Sequence, residues 1–118
     1  MRNLAPTITR QRLLIEGLFR RDVGESEIED YLYGLANALG LKTYGKPIIH
    51  SPQGLGSEEN AGFDAFIPLI DSGISLYVWS GARFFSTVLY TCKRFDEGRA
   101  IAYSQEFFDT SDIEASSF

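Results

Sequence analysis

The 118-residue chain has one cysteine, one histidine, one tryptophan and four prolines, and each scarcity removes a class of answer. A single cysteine, Cys92, allows no internal disulfide framework. The single histidine, His50, has Glu58 and Glu59 downstream, but that spacing matches no ligand motif, so no metal is expected. The stretch GLGSEENAG lacks a lysine and a strand directly before it, which excludes a phosphate-cradling loop. No apolar run is long enough to span a membrane, and no charged-then-apolar leader stands at the N-terminus; a soluble, cytoplasmic protein is expected. Basic residues are also few: eleven against sixteen acids, for a formal charge of -5. They are scattered in pairs such as Arg20-Arg21 and Lys93-Arg94, so a nucleic-acid surface, which needs clustered cations, is not expected.

What is abundant is aromatic: nine Phe, six Tyr and one Trp. A chain this short makes one domain, and this much aromatic surface in it points to burial against a partner or a flat ligand. A homo-oligomer is expected, a dimer favoured. Residues 1–9 and the small, acidic stretch 109–118 (DTSDIEASSF) read as tails around a single domain at 10–108. Arg10 to Phe19 reads as a central or near-central strand carrying one inward acid, Glu16. Ser26 and Glu29 have capping-box spacing, and Ile28, Tyr31, Leu32, Leu35, Ala36 and Leu39 recur on one helical face up to Gly40, which predicts a helix over 26–39. Lys42 to His50 reads as an edge-like strand, and 51–62 as a long loop that covers or completes a pocket. Three strands follow in quick succession (63–70, 74–79 and 84–91), then a helix over 96–108 with Asp96 as N-cap. Two helices cover one face of such a sheet, so the fold class is α+β, a two-layer sandwich with an antiparallel sheet.

The segment DSGISLYVWSGARFFSTVLYTC, residues 71–92, sets an acid and a serine at a hairpin tip, a tryptophan seven residues on, and a strand closing in Tyr90-Thr91-Cys92. It resembles the prokaryotic S-adenosylmethionine decarboxylases, whose first strand and helix residues 10–39 also fit in order and spacing. The resemblance implies that Ser72 is the precursor of a pyruvoyl group, that Asp71 stands where the family has Glu, and that Cys92 stands where a cysteine protonates the product carbanion. The family has histidines at the positions of Gly73 and Tyr77, and the second assists backbone cleavage. A phenol with a pKa near 10 is a poor substitute for imidazole. The expected cofactor is therefore none, with pyruvoyl arising from Ser72 only if the chain cleaves itself. A sulfonium nucleoside wants carboxylates near its charge and an aromatic platform near its base. Glu16, Asp64 and the loop acids Glu58 and Glu59 are candidates for the first, and Phe19, Phe63 and Phe84 for the second. Three readings stay open: a protein that binds and converts S-adenosylmethionine or a related amino compound without self-cleavage, a genuine pyruvoyl decarboxylase of polyamine biosynthesis, and a non-catalytic sensor or partner subunit. An enzyme, a lyase, is favoured.

Overall fold

A computed structural model describes residues 1–51 and 61–118. The elements run β1 (Gln11–Leu18), α1 (Glu25–Ala38), β2 (Ile48–His50), β3 (Gly62–Leu69), β4 (Ser72–Trp79), β5 (Phe84–Thr91), α2 (Glu97–Phe107) and β6 (Ile113–Ser117). The strands form one antiparallel sheet in the order β2-β3-β4-β5-β1-β6, and both helices pack on one face of it. The expected α+β two-layer sandwich is the fold that forms.

Strand alternation divides the sheet into two unlike faces. Leu13 and Ile15 on β1, Ile67 and Leu69 on β3, Ile74, Leu76 and Val78 on β4, and Phe85 and Leu89 on β5 are buried beneath the helices. The helices answer with Ile28, Leu32 and Leu35 of α1 and with Ala100 and Phe108 at α2, and Phe108 stacks on Phe85 at 4.0 Å between ring centroids. One polar group lies at the centre of this layer. The Tyr31 hydroxyl meets Thr87 Oγ1 at 3.0 Å and Ser104 Oγ at 2.8 Å, tying α1 to β5 and to α2. Burial pushes the Tyr31 phenol up to about 12, with the two hydroxyl contacts pulling the other way.

Four local expectations are corrected. The first concerns 109–118, expected as a tail: Ile113–Ser117 instead pairs along β1 from Gly17↔Ile113 to Leu13↔Ser117. An edge strand needs partners only on one side and little apolar content, which is why its sequence resembled a tail. The second is α1, which starts one residue early. Gly24 is its extended N-cap, and the Glu27 carboxylate accepts the Gly24 N–H at 2.8 Å, so the box runs from 24 to 27 and not from 26 to 29. The Ser26 hydroxyl, and then the Gly24 amide, hold the Glu27 carboxyl below its ordinary value. The third is the strand at 42–50, which shrinks to Ile48–His50 plus one bridge, Thr43↔Leu69, with Gly45 and Pro47 between them. The fourth is Glu16. Because Leu13 and Ile15 take the covered face of β1, Glu16 falls on the face away from the helices.

Other local signals hold. Gly40 takes φ +71 behind α1, where Leu41 N–H returns to the Ala36 carbonyl at 2.9 Å, a helix stop that a side chain would strain. Asp96 caps α2 by accepting the Arg99 N–H at 3.0 Å. Residues 1–9 contain no helix or strand, and the Arg10 guanidinium holds them by donating to the Ala5 and Ile8 carbonyls and to Asn3 Oδ1.

Candidate functional site

The residues singled out from the sequence separate into three places. Asp71, Ser72 and Cys92 come together at one end of the β4–β5 pair. Ile70 and Asp71 form a two-residue turn between Leu69 and its partner Ser72, and Asp71 adopts φ 61, left-handed for a residue with a side chain. The Asp71 carbonyl accepts the Cys92 N–H at 2.9 Å, and the Ser72 hydroxyl is buried with no hydrogen-bond partner among the described residues. A nucleophile thus sits beside a held carbonyl, the two pieces from which a pyruvoyl group is made.

The rest of that machinery does not fit. Ser72 shares the covered face with Ile74 and Leu76, whereas Tyr77 lies on the opposite face, five residues along β4 and therefore about 17 Å away. The expected grouping of Tyr77 with Ser72 is not what the fold makes. Nothing within hydrogen-bond reach of the Ser72 hydroxyl among the described residues can take its proton. His50 is on β2, two strands from β4. At position 73 the space a side chain would use is filled: a Cβ there would come within 2.8 Å of the Phe66 ring.

The second place is the open face. The strand registers pair His50 with Asp64, Asp64 with Tyr77, Tyr77 with Ser86, Ser86 with Glu16, and Glu16 with Glu114. A row of six polar side chains therefore crosses the sheet, one from each strand, and it brings Glu16, Asp64 and Tyr77 onto one face. The Ser86 hydroxyl donates to Glu16 Oε2 at 2.9 Å and fixes that carboxylate. A concavity stands at each end of the row. One, of about 390 Å³, is lined by Glu16, Leu18, Phe84, Asp112, Ile113 and Glu114. The other, of about 350 Å³, is lined by Ile48, His50, Asp64, Phe66, Ser75 and Tyr77. Phe84 leans on Trp79 at 5.2 Å between centroids, presenting an aromatic wall beside Glu16.

The third place is the core, where two of the expected platforms went. Phe19 is 4% exposed, tilted against Phe108 at 6.1 Å with the Arg83 guanidinium over it at 5.2 Å, so it offers no face to a ligand. Phe63 alternates with Asp64 and packs against the covered-face core. Glu58 and Glu59 lie outside the described residues. Sequence reasoning missed Ser86, Glu114 and Asp112 as neighbours of Glu16. Ser86 becomes visible only once β1 and β5 are put in register, and the other two had been assigned to a tail. Among the described residues no cluster of three metal-ligating side chains occurs, and no helix is long and apolar enough to cross a membrane.

No family model matches the chain, and no curated protein matches it. Among solved structures it is similar to the crystal structure of the adenosylmethionine decarboxylase from Aquifex aeolicus VF5, with a TM-score of 0.71 at 19% identity. The match spans 94% of this chain and 89% of that one. At this identity the likeness is one of architecture: the chain has an adenosylmethionine decarboxylase-like α+β fold.

Proposed function

We propose that this protein, related in fold to the adenosylmethionine decarboxylases, binds S-adenosylmethionine or a related cationic amino compound on the open face of its sheet, without converting Ser72 to a pyruvoyl group. The observation that carries the reading is the Glu16 carboxylate, fixed by Ser86 and set beside Phe84 in a concavity of about 390 Å³ with Glu114 directly opposite on β6. Carboxylates suit the sulfonium charge, the aromatic wall suits the flat base, and the volume falls in the range of small-molecule sites. Asp64 and Tyr77 extend the same polar row toward the second concavity.

The turnover open to such a site is intramolecular displacement or elimination at the sulfonium, in which positioning and a carboxylate suffice. Glu16 is the residue for that role. A homodimer belongs to the proposal, because the most exposed large apolar side chains of the strands, Leu18, Ile48, Phe66, Tyr77 and Tyr90, all lie on the open face. A second copy laid there would cover them and close the concavities.

Purified protein incubated with S-adenosylmethionine and followed by chromatography separates the alternatives. New adenosyl products support conversion. Binding by calorimetry with the ligand returned intact supports a sensor, and neither binding nor products contradicts the proposal. Intact mass settles self-cleavage: one full-length chain is expected, and two fragments split before Ser72 would replace this reading with a pyruvoyl decarboxylase.

A further inference from the structure

At the start of β1, four residues from Glu16 and therefore about 13 Å along the strand, the open face changes sign. A cleft of about 510 Å³ lies there, lined by Met1, Asn3, Ile8, Arg10, Arg12 and Phe118. No acid lines it. Arg10 is already committed, its two terminal nitrogens bound to the Ala5 and Ile8 carbonyls and to Asn3 Oδ1 at 2.7–2.9 Å. It holds the N-terminal segment in place as one wall and contributes its charge.

Arg12 is different. Its Nε is buried without a hydrogen-bond partner, and no carboxylate among the described residues pairs with its guanidinium, the one ion pair there being Arg83 with Asp22 at 3.7 Å. The register places Arg12 beside Tyr90, and the Phe118 ring lies under its guanidinium at 5.6 Å. A planar cation propped on an aromatic ring at a cleft, with no carboxylate on it among the described residues, is arranged to grip a planar or tetrahedral anion through its two terminal nitrogens. In a chain of net charge -5 such a cation stands out, since acids to pair with are plentiful.

We propose that this cleft is an anion-binding site in which Arg12 holds a phosphate or carboxylate group, with Phe118 as its apolar wall and Arg10 as a second, fixed positive charge. The proposal is independent of the Glu16 concavity and of what binds there.

The test follows the Arg12 Nε–Hε signal by nuclear magnetic resonance while sodium phosphate, and in a second arm sodium acetate, replaces sodium chloride at constant ionic strength. A saturable shift of that signal is expected. Saturation by phosphate alone assigns the site to phosphate esters, and saturation by both admits carboxylates. Calorimetric titration with the better of the two anions is expected to show affinity at least tenfold weaker for Arg12→Gln and partly kept in Arg12→Lys. The control Arg94→Gln, away from the cleft, should bind as the parent does, and circular dichroism confirms that each variant folds. Non-saturating shifts, or equal binding by parent and Arg12→Gln, would overturn the proposal. So would an Arg12→Gln variant whose sedimentation mass halves while the parent ignores both anions, because the guanidinium's partner would then be a carboxylate of a second copy.

Discussion

The two faces of this sheet are built from alternate residues of the same strands, yet they answer to different demands. On β4, Leu76 is fully buried against the helices while its neighbour Tyr77 is 40% exposed on the other side. On β1, Ile15 is in the core and Glu16 is in the polar row. The covered face is packed for volume: most of its side chains are apolar and buried, and the Tyr31 hydroxyl among them is satisfied twice over, by Thr87 and Ser104. The open face carries polar and aromatic groups instead: a serine fixes a carboxylate, acids stand opposite each other, and aromatic rings are exposed. Substitutions of similar size on neighbouring residues should therefore have opposite consequences, one for stability and the other for binding.

The largest expected effect tests that contrast directly. Leu76→Ala leaves a cavity under the helices and is expected to cost about 2–5 kcal/mol in urea unfolding, while Tyr77→Ala, one residue on, costs under about 1 kcal/mol. Equal losses would erase the distinction between the faces. Next is the buried phenol. Its folded value of about 12 lies above the unfolded value near 10, so its contribution is fully present below pH 10 and is lost as pH rises toward 12. The loss is about 2–3 kcal/mol, and in Tyr31→Phe that part of the alkaline decline should vanish in pH-dependent melting. Restoring an imbalance on the open face comes third. Gly73→His puts a Cβ within 2.8 Å of the Phe66 ring, whose far end must swing toward solvent, at about 1 kcal/mol. Adding Phe66→Ala should recover part of that cost, and intact mass should still show one chain. Smallest in stability is Ser86→Ala, expected within about 0.5 kcal/mol of the parent. Its effect on ligand affinity should be measurable by calorimetry, since Glu16 loses the donor that orients it.

The features written in local periodicity were legible in the sequence. The helix stop at Gly40, the Asp96 cap, the three-strand succession and the buried faces of both helices each depend on neighbours within a few residues. The fold class followed from them. What the sequence concealed depends on pairing partners far along the chain. That Glu16 faces Ser86 and Glu114 is decided by how β1 docks between β5 and β6, and β6 itself has so little apolar content that only its position at an edge makes it a strand. Phe19 and Phe63 illustrate the same limit: aromatic residues look alike in a sequence, and strand parity together with the turn after β1 decides which of them stay on the open face and which fill the core. The hairpin at 71–92 was legible because its turn and the alternation of its strands are marked within a few residues. The filling of position 73 by Phe66 was not, because the contact joins two strands.

Titration calorimetry of S-adenosylmethionine into the full-length protein and into Glu16→Gln tests the central claim most directly. The account predicts saturable binding by the parent, weakened at least tenfold, about 1.4 kcal/mol, by removing the Glu16 charge, with unfolding stability unchanged within about 0.5 kcal/mol. Binding of equal strength to both proteins, or no binding to either, would contradict it.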